Sequence, residues 1–460
     1  MQKIMRFIRG AVPSLLVLAG VVVDMNSAEA IPAFARQTSQ ACTACHTQHF
    51  PTLNSFGRLF KAQGYTMGGS QETVQGEGLD LPGVLNAALV GRLAMEKKKN
   101  EDKAIGFPAS LSLYFGGRIG KNSGFLMEIP FEGAGAETTV VDGTGTEIGN
   151  GSGEVHPEAG PSFAQLGSLK WNYVEDMNGI NAGLNAYSSA MAGPAYGYEL
   201  LSTGAMGMNV AITGANAMGA IGMHMEHGST LMSAFMDAME SNPNMRMTMV
   251  GQATGLGASA QSGEWFAYYS AYFGKQAMDY VPNPSFAHYL RVAWMPTFAG
   301  WEMGMGAQIY TGSFGYGSDT AEMTYDAKAT TLDFQAQGDV AGRATGIYVT
   351  YASTPKSDSN SQLNWYNQSV GGDNSAFAIL CEMEVVPRLS LNVGYTQATY
   401  WSDMLMSDGS VMNSSKTEGT LAQLGANYLL APNKRLGFKY ADFGSDLDSN
   451  IMELDLMIGF

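Results

Sequence analysis

In the stretch Cys42-Thr43-Ala44-Cys45-His46, residue type and spacing narrow the chemistry further than anywhere else in the 460-residue chain. In C-x-x-C-H the two thiols form thioethers to a porphyrin and the adjoining imidazole ligates its iron. The motif therefore predicts one covalent c-type haem held by Cys42, Cys45 and His46. Of the three cysteines, the third, Cys381, falls on the apolar face of an expected strand. It reads there as a small hydrophobe rather than a reactive thiol. No disulfide framework is predicted.

The second axial position is open in the sequence. Met67 is the first candidate, because a thioether ligand raises the reduction potential and suits acceptance of electrons from a mild donor. His49 lies three residues from His46, on the same helical face, and reaches the other side of a ring poorly. The α-amine of Ile31 is a further candidate if the leader is cleaved before it. His224 and His227, flanking Glu226, are spaced i, i+3 in an expected strand or loop, a poor geometry for a metal. Residues 132–158 carry six acids, one histidine and no lysine or arginine. Such a segment could draw Fe²⁺ to an outer mouth, and a solvated glycine-rich loop has the same composition.

The elements that must position these groups begin with a leader. Lys3, Arg6 and Arg9 precede an apolar run over 11–23, and Ala28-Glu29-Ala30 gives a small-x-small cleavage site, so residues 1–30 read as a signal peptide. No later run is apolar for long enough to make a transmembrane helix. The formal charge is −16, and loss of the leader makes the chain one unit more negative. That balance argues against nucleic acid and anionic lipid as partners and is compatible with cations. Charged residues are only 14%, with 57 glycines and 30 methionines, a composition that suits a barrel whose strands are apolar at alternate positions only.

Residues 31–68 read as one small haem-bearing helical unit, with a helix expected over 51–62 and Pro51 in its first turn. Residues 69–83 read as a linker, and 84–460 as an outer-membrane antiparallel β-barrel. The last strand is the clearest: Met452, Leu454, Leu456, Ile458 and Phe460 face one way, and Glu453, Asp455, Met457 and Gly459 the other. Lipid on one side and a watery lumen on the other would accommodate both sets. Leu389, Leu391, Val393 and Tyr395 oppose Ser390, Asn392, Gly394 and Thr396. Leu436, Phe438 and Tyr440 oppose Gly437, Lys439 and Ala441, and Ile347, Val349 and Tyr351 oppose Gly346, Tyr348 and Thr350. Short connectors at 386–388, 431–434 and 296–300 alternate with long loops near 133–161, 313–330, 353–373 and 402–418. The aromatics Trp265, Phe266, Tyr268, Tyr269, Tyr272, Phe273, Trp294 and Trp301 suit interfacial girdles. Lys97, Lys98 and Lys99 are expected on a loop. A strand plus its connection takes roughly 23 residues, which gives about 16 strands, with 18 as the alternative. Either is wide enough for an aqueous lumen, and 205–250 is the least secure stretch.

Ala33-Phe34-Ala35-Arg36-Gln37-Thr38, the haem motif, and Phe50-Pro51-x-Leu53-x-x-Phe56-Gly57-Arg58-x-Phe60-Lys61-x-x-Gly64-Tyr65-Thr66 together resemble the fused outer-membrane cytochrome–porins of iron-oxidising bacteria. Ser39 and Asn54-Ser55 depart from that pattern. The resemblance implies a monohaem cytochrome within or under a barrel of about sixteen strands. It also implies an electron-transfer oxidoreductase that takes electrons from extracellular Fe(II) and passes them to a periplasmic carrier. Two alternatives are a conduit serving another donor or acceptor, and a porin whose haem segment is only a plug.

Overall fold

The computed structural model describes residues 32–48, 52–76, 79–83, 86–100, 102–131, 167–189, 193–203, 245–246, 252–276, 282–318, 321–406, 409–445 and 449–460. The leader, Ile31, His49, the acidic segment 132–158, and His224 to His227 lie outside these residues. Sixteen long strands close an antiparallel barrel. They are β1 (Ala87–Lys98), β2 (Lys103–Gly120), β3 (Ser123–Pro130), β4 (Ser168–Asp176), β5 (Asn181–Ser189) and β6 (Ala253–Ser262). Next come β7 (Trp265–Phe273), β8 (Ala287–Trp294), β9 (Trp301–Thr311), β10 (Ala329–Val340) and β11 (Arg343–Thr354). The set ends with β12 (Asn374–Val386), β13 (Leu389–Leu405), β14 (Val411–Ala431), β15 (Lys434–Ser445) and β16 (Ser449–Gly459). The seam pairs β16 with β1 from Ile451↔Lys98 to Gly459↔Val90, and Phe460 exchanges both backbone hydrogen bonds with Leu89.

Burial along the strands is inverted relative to a water-soluble protein. On β13, Leu391, Val393 and Tyr395 are exposed while Ser390, Asn392 and Thr396 are buried. Period two sends alternate side chains to opposite faces, and apolar residues on the outside of a closed sheet suit contact with lipid. Connections at one end are short, as at Ala341-Gly342, where both residues have positive φ (52° and 73°). That backbone matches the right-handed twist of the flanking strands. Long connections cluster at the other end. No helix among the described residues is long and apolar enough to cross a membrane.

Several expectations are corrected. The helix expected from Pro51 begins at Ser55, because the Asn54 side chain accepts from the Gly57 N–H and caps it. Part of the linker pairs as a hairpin, Thr73–Gly76 with Leu79–Pro82. The loop expected at 402–418 shrinks to 406–410, since Ser402↔Ser415 and Asp403↔Ser414 continue the ladder. Glu453 and Asp455 do face inward, but they are buried in ion pairs with Arg92 (3.2 Å) and Arg435 (3.0 Å) instead of being bathed in water. The expected girdle divides: Trp265 and Tyr269 are exposed, whereas Phe266, Tyr268 and Tyr272 fill the lumen.

The lumen is packed. Behind β5, a 3₁₀ turn (Gly193–Gly197) leads the chain inward, where Tyr198, Leu200 and Leu201 are buried. A contiguous set of buried side chains runs from Ala62 through Tyr268, Tyr289 and Tyr310 to Trp365 and Tyr325.

Candidate functional site

Three helices make the N-terminal unit: α1 (Pro32–Thr38), α2 (Cys42–Cys45) and α3 (Ser55–Ala62). The helical turn of α2 places Cys42 and Cys45 three residues apart on one face. His46 leaves it in extended backbone, with its N–H bonded to the Cys42 carbonyl at 2.9 Å. It bridges to Leu53, and the following Thr47 N–H donates to Thr52. Asn54 donates through Nδ2 to the Ala44 carbonyl at 3.0 Å, and its backbone N–H donates to the Cys45 carbonyl at 3.0 Å. Gly57 lies so close to α2 that a Cβ there would collide with the Cys45 carbonyl oxygen. The motif is thus clamped by Asn54 and Gly57, while Cys42, Cys45 and His46 stay partly exposed.

An aromatic trio packs within the unit: Phe34 stacks on Tyr65 at 5.0 Å, and Phe60 meets both rings edge-on at 5.1 and 5.6 Å. Gln37 donates to the carbonyls of Tyr65 (2.6 Å) and Met67 (2.8 Å). The described contacts thus tie Met67 to α1, and those of His46 to Leu53. Burial, reinforced by Cys42, pushes the Cys45 thiol above its ordinary range, and burial likewise raises the Tyr65 phenol.

The unit lies inside the barrel. Arg36 donates to the Ala87 carbonyl at the start of β1. Gln37 accepts from the Arg118 N–H of β2 at 3.1 Å. Gly64 packs against Asn172 and Val174 of β4. Half a circumference away, Ser55 Oγ donates to Glu302 of β9 (2.6 Å), and Arg58 donates to Glu302 (3.0 Å) and to Gln337 of β10 (2.8 Å). Gln48 donates to the Ala344 carbonyl of β11 at 2.7 Å and to the Glu382 carbonyl of β12 at 3.3 Å. These partners are near the short-turn ends of their strands, so the unit spans the lumen at that mouth. Burial lowers the Arg58 guanidinium's affinity for its proton, and Glu302 opposes the shift.

Farther up the lumen, Arg291 of β8 is fully buried between Glu199 (Nε to Oε2, 3.0 Å) and Asp333 of β10 (NH2 to Oδ1, 2.9 Å). Sequence reasoning missed this cluster, because an arginine and two acids scattered over 135 positions of chain carry no local pattern. At the long-loop mouth, Phe314, Tyr325, Trp365 and Tyr366 close over Tyr272 and Tyr310, with Tyr310 and Tyr366 4.8 Å apart.

The donor set fits a covalently tethered haem: two thiols on one helical face, neither in a disulfide, with an imidazole next in sequence. Cys381, on β12, is half-buried opposite Ile347 and takes no part. Among the described residues no group of three or more His, Cys, Asp or Glu side chains could hold a separate metal ion.

No protein-family model matches the chain, and no curated protein matches it. Among solved structures, the chain is similar to the outer-membrane channel DcaP of Acinetobacter baumannii, with 11% identity and a TM-score of 0.44 over 84% of this chain and 99% of that one. In-vitro folded OmpT, an outer membrane protein of Vibrio cholerae, gives 11% identity and 0.41 over 85% and 100%. A mutant of the Rh. blastica porin gives 10% identity and 0.39 over 82% and 100%.

Proposed function

We propose that the chain is an outer-membrane electron-transfer barrel, built around an interior segment that holds one c-type haem through Cys42, Cys45 and His46. In this reading it takes electrons from extracellular Fe²⁺ and delivers them to a periplasmic carrier. The observation that carries the reading is the position of the unit that bears the C-x-x-C-H turn: through Gln37, Arg58 and Gln48, strands on opposite sides of the wall hold that unit inside the barrel. The leader pattern and the inverted burial support export to the outer membrane.

The haem would supply a one-electron change at its iron, and no acid–base dyad or nucleophile is required. The rest falls to the chain. Asn54 and Gly57 fix the attachment turn, and Phe34, Phe60 and Tyr65 form the aromatic core of the same unit. Arg58 and Gln48 anchor the unit to the wall. Short turns face the periplasm in barrels of this type and long loops face outward, so a periplasmic acceptor would meet the mouth nearest Cys42. One observation favours a second reading, in which another donor approaches from the short-turn side: the lumen above the motif is packed by Arg291, Glu199, Asp333 and the tyrosines. The same packing weighs against a solute pore that merely carries a haem plug.

Proteoliposomes enclosing a soluble acceptor cytochrome separate these readings. External Fe²⁺ should reduce the enclosed acceptor with wild-type protein and not with the Cys42→Ser/Cys45→Ser variant. Equal reduction with both proteins would refute electron transfer through the motif. Solute leakage without reduction would favour the plugged porin.

A further inference from the structure

Lys97 and Lys98, expected on a loop, end strand β1 instead. The first residue of that strand, Ala87, meets the N-terminal unit at the short-turn mouth. Its last residues therefore lie at the long-loop end, which faces outward in barrels of this type. Lys97 stands directly opposite Lys103, the first residue of β2, and on its other side opposite Met452 of β16. Met452 packs with Leu454 and Leu456 on the outward apolar face, so the register turns Lys97 and Lys103 to the lipid side as well. Glu96 and Lys98 alternate to the other face, opposite Glu453 and Ile451. Two residues below the lysines comes an apolar rung, with Ile105 opposite Met95 and Met95 opposite Leu454. One step further down, Leu93 faces Leu456. Ile105 is 68% exposed and Phe107, two residues on, is 78% exposed.

Two cationic residues thus sit side by side about 7 Å above an outward apolar column, a two-residue step along a strand. That is the layout of a lipid whose phosphate lies at the interface and whose chains run down into the bilayer. We propose that Lys97 and Lys103, with Met95, Ile105, Phe107 and Leu454 below them, bind one phosphorylated lipid of the outer leaflet on the β16–β1–β2 seam. Charge complementarity selects the headgroup, and the exposed column selects a lipid over a free anion. Like charges directly opposite each other on paired strands are unfavourable, and a phosphate between them reverses the sign of that interaction. The formal charge of −16 makes the surface as a whole repel anions, so the lipid would be held at this seam and not around the whole rim. Lysine suits the position, because its apolar stem can lie along Met95 and Met452 while the ammonium reaches the headgroup. The seam joins the first and last strands, and a lipid touching β16, β1 and β2 would fasten the closure of the barrel. The site depends on the outer-membrane setting and not on the haem.

The test uses the full-length barrel in mild detergent, with gel mobility of unheated samples confirming that each variant has folded. Lipid A titrated into wild type and counted by native mass spectrometry should bind as a single molecule per barrel. Lys97→Gln/Lys103→Gln should weaken that binding about thirtyfold, and Lys97→Arg/Lys103→Arg should keep it. Dephosphorylated lipid A should bind wild type as weakly as lipid A binds the glutamine variant. Ile105→Ala/Phe107→Ala should weaken binding severalfold, and excess inorganic phosphate should not displace the bound lipid. Lipid A should also raise the urea midpoint of wild type and leave that of the glutamine variant unchanged. Equal affinity of wild type and the glutamine variant, or indifference to the phosphates of lipid A, overturns the site. Displacement by inorganic phosphate, with full affinity in the alanine variant, overturns the lipid as its occupant.

Discussion

Gly57 sets how closely α3 approaches the Cys42–Cys45 turn, and Arg58, the next residue, fixes that pair of elements to the wall. Gly57→Ala forces a Cβ into the Cys45 carbonyl, an overpacking that costs about 1–3 kcal/mol locally. The expected result is a lower ratio of covalent haem to protein, by absorbance, in a barrel that still folds. Arg58→Ala removes bonds to Glu302, Gln337 and Leu53. Because Glu302 is 34% exposed, screening reduces the expected loss to about 1–2 kcal/mol, and protease should then cut residues 32–67 faster. Lys61 gives a pH dependence whose sign is fixed. Its folded pKa is lowered from 10.5, with burial the main cause, so between the lowered value and 10.5 the unfolded chain binds more protons. Haem-free protein should therefore gain stability as pH rises through that window, and Lys61→Met should flatten the slope of urea midpoint against pH.

Among the elements, strand alternation was directly legible, because period two survives in β11, β13, β15 and β16 with polar residues inward and apolar ones outward. The β13–β14 hairpin was not. Ser402, Asp403, Ser414 and Ser415 look like loop composition, yet they satisfy one another across the ladder. Asp403 is fully buried and accepts from Ser369 Oγ (2.6 Å), the Val370 N–H (3.0 Å) and Ser414 Oγ (2.7 Å). Asp403→Ala should cost about 2–3 kcal/mol and expose 355–373 to protease, as read by the urea midpoint and by limited proteolysis. The early end of the expected helix was also misread: Pro51 suggested a first turn, but the Asn54 side chain supplied the cap.

For the whole molecule, the barrel and its strand number followed from length and alternation, while the packed lumen did not. On β7 both faces are aromatic, so alternation there cannot tell lipid from interior. The location of the N-terminal unit that carries the C-x-x-C-H motif was equally hidden, since a fifteen-residue linker permits a place inside or below the barrel. Partners distant in sequence decide it: Gln48 with Ala344, and Arg58 with Gln337. Arg291 holds the middle of the lumen. Arg291→Met leaves Glu199 and Asp333 as adjacent buried carboxylates and should destabilise the barrel by about 3–5 kcal/mol in urea. Replacing all three with apolar residues of similar volume should recover most of that loss. The central claim is that an interior c-type haem accepts electrons from Fe²⁺. Anaerobic stopped-flow absorbance of oxidised, haem-loaded protein mixed with Fe²⁺ tests it most directly. The account predicts rapid appearance of the reduced c-haem bands in wild type; no reduction by Fe²⁺ alongside normal reduction by dithionite would contradict it.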